Sequence, residues 1–283
     1  MLLTALPSAS AAVIVVVLAA GFAHAVWNAM AKGLGDPLVT FAFINLAATG
    51  FGLVLLLSAG WPGAACAWYL ALSVLLHLGY QGFLLRSYQV GEFSQVYPLA
   101  RGVAPLLVSG FSALALGEHL GLIGSCGVLA VAVGVGVLAG PFWRSGRRGV
   151  EAALLTGVFI AAYTIADGLG VRHAHGVVGY AGLLFLLQGP VFPLVARLRL
   201  GPRWWPERRE IAAGLAAGGI SVLAYGAVLW AQTRANLGVV SALRETGVLW
   251  GAAIGTWWFH ERFGPRRLVA AAVVVSGITL LAL

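Results

Sequence analysis

The sequence predicts an all-α integral membrane protein with ten transmembrane helices in two inverted five-helix repeats. Three observations carry that prediction: the composition, the length of the apolar runs, and a repeat of the chain upon itself. Of 283 residues, 60% are hydrophobic and 9% carry Asp, Glu, Lys or Arg, whereas a soluble domain carries charge on roughly a quarter of its residues. The mean hydropathy is +0.94. Such an apolar surface needs lipid as its solvent, and in lipid every backbone N–H and C=O must be paired within the protein, which leaves helices or closed barrels. Barrel strands alternate apolar and polar residues over about ten positions. The runs here are continuous and about twenty residues long, so helices are predicted.

The first five apolar runs are Ala11–Ala31, Leu38–Ser58, Cys66–Leu85, Ser94–Leu116 and Leu120–Ala139. The second five are Ala152–Gly170, Val177–Ala196, Ile211–Ala231, Val239–Phe259 and Leu268–Leu283. Gly35-Asp36-Pro37, Gly60-Trp61-Pro62-Gly63, Gly201-Pro202 and Trp204-Trp205-Pro206 punctuate them. The first run has no Lys or Arg before Lys32, so it lacks the basic flank of a signal peptide and is expected to be a retained helix. The basic stretch from Trp143 to Val150 divides the chain into units 1–142 and 151–283.

The two units resemble each other. At an offset of 143 residues, Gln89 falls on Gln232, Arg101 on Arg244 and Glu118 on Glu261, with no gap through ARGVAPLLVSGFSALALGEHLG and LRETGVLWGAAIGTWWFHERFG. The first helices echo at an offset of 135, MAKGLG (Met30–Gly35) against IADGLG (Ile165–Gly170). Five is odd, so the second copy enters the membrane from the opposite side, a plan found in secondary transporters with a site near the midplane.

Charge gives an orientation. Loops after odd-numbered helices hold Lys32, Arg86, Arg144, Arg147, Arg148, Arg197, Arg199, Arg203, Arg208, Arg209, Arg262, Arg266 and Arg267, and loops after even-numbered helices hold Arg172 and Arg234. The positive-inside rule places the odd loops in the cytoplasm and both termini outside, in a bacterial inner membrane. The net charge of +8 is therefore assigned to these loops rather than to nucleic-acid binding. Trp61, Trp68, Trp143, Trp204 and Trp205 are expected in interfacial belts. Cys66 and Cys126 have no metal-ligand spacing and read as small buried residues.

Ionisable residues at membrane depth are costly and mark function. Helical spacing groups His24, Trp27 and Asn28 on one face, and His77, Tyr80 and Gln81 on another. It also aligns Tyr97 with Arg101, Tyr163 with Asp167, and Ser221 with Tyr225, while Asn45 and Gln188 add amides. Arg101 and Arg244 lie about a third of the way into their runs and are expected to flank a central cavity as two quasi-symmetric cations. Each costs at least about 2.5–3.5 kcal/mol on insertion scales. Glu245 offsets one of them, and Asp167 reads as lying near an interface, so an anionic substrate is expected to neutralise the remainder. The predicted substrate site is Arg244, Arg101, His24, Trp27, Asn28, His77, Tyr80, Gln81, Tyr97 and Tyr225. Glu245 and Asp167 are the candidates for proton coupling. Glycine pairs at Gly117/Gly121, Gly214/Gly218 and Gly251/Gly255 suggest close helix approach, and Pro98 and Pro105 are positioned to bend helix four.

The five-plus-five repeat, the ends LGEHLG and FHERFG, the glycine-rich fifth and tenth helices, and Tyr97-Pro98…Arg101…Pro105 resemble the ten-helix EamA-type members of the drug/metabolite transporter superfamily. The opening HAVWNAMAKGLGDPL is similar to a subgroup whose genes are often found beside phosphonate-utilisation genes. The resemblance covers essentially the whole chain and implies a transporter. It also implies a basic residue in a late helix as a substrate ligand, as in plastid sugar-phosphate carriers of the same superfamily. Members are commonly drawn with both termini in the cytoplasm; the charge distribution of this chain favours the opposite orientation.

No Walker loop, zinc-binding His-Glu-x-x-His or Gly-x-Ser-x-Gly elbow is present. The expectation is a non-enzymatic, cofactor-free and metal-free secondary carrier. Its cargo would be a small polar, anionic metabolite (an organic phosphate or phosphonate, or an amino-acid-like solute), moved by alternating access. The expected partners are that solute and the bilayer, with a homodimer left open. The competing reading is an intramembrane enzyme acting on a lipid headgroup or polar metabolite.

Overall fold

The computed structural model describes residues 9–32, 36–90, 93–139, 146–201, 205–258 and 265–282. The described residues form twelve α-helices and no strand: α1 (Ala11–Lys32), α2 (Pro37–Ala59), α3 (Ala67–Val90), α4 (Phe93–Ala115), α5 (Gly121–Ala139) and α6 (Gly146–His173), then α7 (Val177–Gln188), α8 (Val191–Leu200), α9 (Arg208–Gln232), α10 (Leu237–Arg244), α11 (Gly247–Trp258) and α12 (Pro265–Ala282). A short 3-10 turn, Ala64–Cys66, leads into α3. Six segments are long and apolar enough to cross a membrane: those of α1, α2, α3, α6, α9, and α7 with α8 taken together. Shorter apolar helices cover Ala100–Ala115, Gly121–Val137 and Leu268–Leu281. This is the architecture of a multi-pass membrane protein. The outer surface agrees, since Leu57, Leu75, Leu114, Leu122, Leu223 and Trp257 are all more than two-thirds exposed, which only lipid tolerates in such number.

Local chemistry sets the helix ends. Asp36 caps α2, its Oδ1 accepting from Leu38 N at 2.7 Å, with Pro37 in the first turn where no donor is needed. Gly60 at φ 76° closes that helix. α6 begins at Gly146, so the later part of the expected linker is already helical, and Trp143–Ser145 lie outside the described residues.

Two expected spans are interrupted. Gly189-Pro190 separates α7 from α8, where proline removes a donor. Between α10 and α11 the chain tightens at Glu245-Thr246, with Glu245 N bonded to Ala242 O and Thr246 N to Leu243 O, each three residues back. α1 crosses at this break. A Cβ on Gly247 would sit 2.7 Å from Gly21 O, so two glycines let the backbones meet. α4, which aligns with α10–α11 at the sequence offset of 143, is instead continuous through Pro98 and Pro105.

The strongest packing pairs are α5 with α12, α3 with α6, α2 with α7, α4 with α6, α1 with α9, and α2 with α9. Lipid removes most of the hydrophobic drive between helices, so close backbone approach matters more. Gly214 and Gly218 supply it between α9 and α2: a Cβ at either would lie 2.7 Å from Phe43 Cβ or 2.6 Å from Ala47 Cβ. The expected packing role for Gly117 and Gly121 is corrected. Both have φ near +65° and open space at the Cβ position, so they shape the turn between α4 and α5. Gly251 likewise faces open space, and the side-chain position of Gly255 lies outside the described residues.

Loops that follow even-numbered expected spans meet at one end of the bundle. His175 N donates to Pro62 O at 2.8 Å, and Arg172 bonds to Glu118 and to the carbonyls of Gln232 and Ala235. At the other end, Arg266 Nε donates to Val137 O at 2.8 Å. The described basic loop residues apart from Arg172 and Arg234 belong to this second, basic end. Trp61, Trp68 and Trp205 are each more than half exposed, while Trp143 and Trp204 lie outside the described residues. Cys66 is buried, whereas Cys126 is exposed on α5, which corrects the expectation that both are buried.

Candidate functional site

Three apolar clusters fill the bundle, and the polar residues gather between them. One cluster joins α1, α5, α9, α10 and α12 around Val17, Val131 and Leu243, and a second joins α2, α3, α4, α6 and α8 around Leu84, Val108 and Phe192. The third packs Cys66, Leu70, Val171, Tyr180, Leu184 and Leu229 towards the end away from the basic loops. A pocket of about 620 Å³ of empty volume, part of it open to the surroundings, lies between these clusters.

Six of the predicted site residues line the pocket: His24 and Trp27 from α1, His77, Tyr80 and Gln81 from α3, and Tyr225 from α9. Helical spacing presents each group on one face, and the pocket is where those faces converge. Asn45, Gln188, Ser221 and Tyr163 add polar wall, and Phe41, Ile44, Ala48 and Phe185 add apolar wall. Asn45 Nδ2 donates to Gln81 Oε1 at 2.8 Å, which orients both amides. Gln188 Oε1 is buried and accepts no hydrogen bond. Asn28 is buried off the pocket, its amide donating to His24 O at 2.8 Å. The side chain of Tyr97 lies outside the described residues.

Neither arginine forms the pocket wall, although both are buried. Arg101 Nε donates to Glu245 Oε2 at 2.5 Å and Nη2 to Oε1 at 3.3 Å, a two-pronged pair across α4 and the α10–α11 break. Its Nη1 also meets His24 Nε2 at 2.8 Å, while Trp27 Nε1 donates to His24 Nδ1 at 3.1 Å. Arg244 is 3% exposed. Its Nε lies 3.5 Å from Glu245 Oε1, and its guanidinium lies 5.8 Å from the centre of the Tyr163 ring. Among the described residues, Nε and Nη2 find no hydrogen-bond acceptor.

Asp167 is fully enclosed by protein, with a relative exposure of 0%. Tyr180 donates to Oδ1 at 2.9 Å, Tyr225 donates to Oδ2, and His77 Nε2 lies 3.8 Å from Oδ2. The ring of His77 stacks on Tyr163 at 4.0 Å between centroids, and its Nδ1 contacts Ser73 O at 3.0 Å. Around the pocket, among the described residues, Arg101 and Arg244 stand against Glu245 and Asp167. Sequence reasoning missed Tyr180, Ser73 and the apolar walls, because nothing in a single apolar run distinguishes a pocket-facing Phe from a lipid-facing one.

Among the described residues no group of three His, Cys, Asp or Glu could hold a metal ion. The arrangement offers a polar aromatic chamber with amide, imidazole and phenol groups, backed by a guanidinium with unmet donors.

Residues 147–283 match the EamA-like transporter family. A solved crystal structure with 19% sequence identity superposes with a TM-score of 0.78 over 97% of this chain and 99% of that one. At that identity the likeness concerns the fold.

Proposed function

A domain of the EamA-like transporter family occupies residues 147–283 of this multi-pass membrane chain, and on that premise we propose that it is a secondary-active carrier of a small polar solute bearing an anionic group. In this reading the twelve helices make ten spans, with α7–α8 and α10–α11 each forming one interrupted span. Residues 1–142 and 151–283 are then inverted repeats. The packing supports this, because the pairs exchange into one another when the halves are swapped. α3–α6 becomes α9–α1, α4–α6 becomes α11–α1, and α2–α9 becomes α7–α3, while α5–α12 and α2–α7 map onto themselves. A helix broken beside the site is also a recurrent feature of such carriers.

The observation that carries the substrate class is Arg244. Since Asp167 balances the charge, the argument rests on hydrogen bonding. Two buried guanidinium N–H positions stand unmet next to the pocket wall at Tyr163. Each unmet buried donor costs about 1–3 kcal/mol, and a carboxylate, phosphate or phosphonate oxygen entering past Tyr163 would meet them in the two-pronged geometry that guanidinium favours. His24, Trp27, His77, Tyr80, Gln81 and Tyr225 would hold the rest of the solute. Asn28, Arg101 and Glu245 would hold those groups in place, and Asp167 with His77 would be the proton-coupling pair.

Counterflow in liposomes tests this with purified protein and a panel of phosphonates, sugar phosphates and amino acids. Arg244→Lys should raise KM about tenfold, since it keeps the charge but loses the fork, and Arg244→Ala should abolish exchange while the protein stays folded. Wild-type exchange by the alanine variant would remove Arg244 from the site, and a preference for cations would overturn the anionic class.

A further inference from the structure

The pocket leans towards the basic loops: most of its residues come from the later half of α1, the first half of α2 and the middle of α3, while Tyr163 on α6 and Ser221 and Tyr225 on α9 carry it past mid-bundle. The opposite end is filled by the cluster around Cys66, Tyr180 and Leu184. Above that cluster lies a buried polar tie. Glu118 Oε1 accepts from Arg172 Nη1 at 2.5 Å, with side-chain exposures of 2% and 9%. Arg172 also donates from Nε to Gln232 O at 2.8 Å and from Nη2 to Ala235 O at 3.0 Å. Glu118 Oε2 accepts from Leu237 N at 3.0 Å, capping α10, and Asn236 Nδ2 donates to Glu118 O at 3.0 Å. Glu118 belongs to the first half of the chain and all its partners here to the second.

Resting on the reading as an alternating-access carrier, we propose that this tie is the latch that holds the face remote from the basic loops closed, and that α10 is the lever linking it to the site. α10 has eight residues, so it is about 12 Å long. Glu118 grips its N-terminus and Arg244 is its last residue. The tight turn at Glu245-Thr246 lets it tilt independently of α11. Movement of Arg244 onto a bound anion therefore pulls on Leu237 and loosens Glu118. The latch is one-sided. At the repeat offsets the counterparts of Arg172 and Asn236 are Pro37 and Phe93, which carry neither a guanidinium nor an amide side chain. The resting carrier is accordingly open at the basic end.

Distance measurement between spin labels tests the latch without any substrate. Labels replace Trp61 and Arg234, one in each half and both at the latched end, in full-length protein with Cys66→Ser and Cys126→Ser. Wild-type protein should give one short distance. Glu118→Gln and Arg172→Lys should each add a longer component, shifting the closed-to-open ratio about tenfold, within the usual range of coupling energies. If both variants elute as folded protein and keep the wild-type distribution, the latch is overturned. A variant that misfolds leaves the decision to the other, and Glu118→Asp, which keeps the charge at shorter reach, replaces both if neither folds. Absence of counterflow by the wild type would instead sink the carrier reading, whatever the distances show.

Discussion

Neutralising Glu245 removes a carboxylate that both Arg101 and Arg244 contact. Breaking a buried pair from one side costs about 3–5 kcal/mol, so Glu245→Gln should lower the thermal midpoint in detergent sharply. Arg101→Met should cost less, because Glu245 keeps Arg244 at 3.5 Å. Reversal of that order would show that Arg244 does not take over. The two tyrosines on Asp167 divide in a different way. Tyr180→Phe should destabilise by about 1–3 kcal/mol and leave exchange kinetics intact, whereas Tyr225→Phe should also change KM, since only Tyr225 lines the pocket. Thermal scans with counterflow on the same preparations check both. The rarity of charge in apolar runs made Arg101, Arg244, Glu245 and Asp167 legible from sequence. Their partners were not, because spacing orders residues along one helix and says nothing about which helix it crosses. Asp167 illustrates this: its donors, Tyr180 on α7 and Tyr225 on α9, come from two other helices.

Helix positions came readily from the length of the apolar runs and from punctuation such as Asp36-Pro37, but continuity did not. α4 runs unbroken through Pro98 and Pro105, while the chain at the corresponding sequence offset breaks at Glu245-Thr246 with no proline nearby. At that break α1 passes within a glycine's clearance of Gly247. Filling such crossings should be severe. Gly182 on α7 would place a Cβ 2.6 Å from Leu56 N on α2, with Gly52 O at 3.0 Å. Gly182→Val is therefore expected to lose most monodisperse protein on size-exclusion chromatography, whereas Gly136→Ala, at an open position, should be neutral. Equal behaviour of the two variants would contradict the backbone contact between α2 and α7.

For the whole molecule, the likeness of the two halves in sequence is visible because matching Arg and Glu at one offset are conspicuous in a chain with 9% charge. The pocket's displacement towards one end was not readable, since it depends on how the halves lean together. Orientation in the membrane is checked by thiol labelling of Ser145→Cys in a background lacking Cys66 and Cys126. The charge distribution predicts modification only after the membrane is permeabilised; labelling of intact cells would reverse the orientation. The Arg101–Glu245 pair also has a consequence for biosynthesis. Its partners are 144 positions apart, and at about 5–20 residues per second a ribosome needs roughly 7–30 s to travel between them. Through that interval Arg101 waits for its carboxylate, and Glu118, 54 positions before Arg172, waits about 3–11 s for its own partner. The nascent first half should therefore be the stage at which membrane proteases compete. Residues 1–142 expressed alone should turn over quickly, and co-expression of residues 143–283 should protect them.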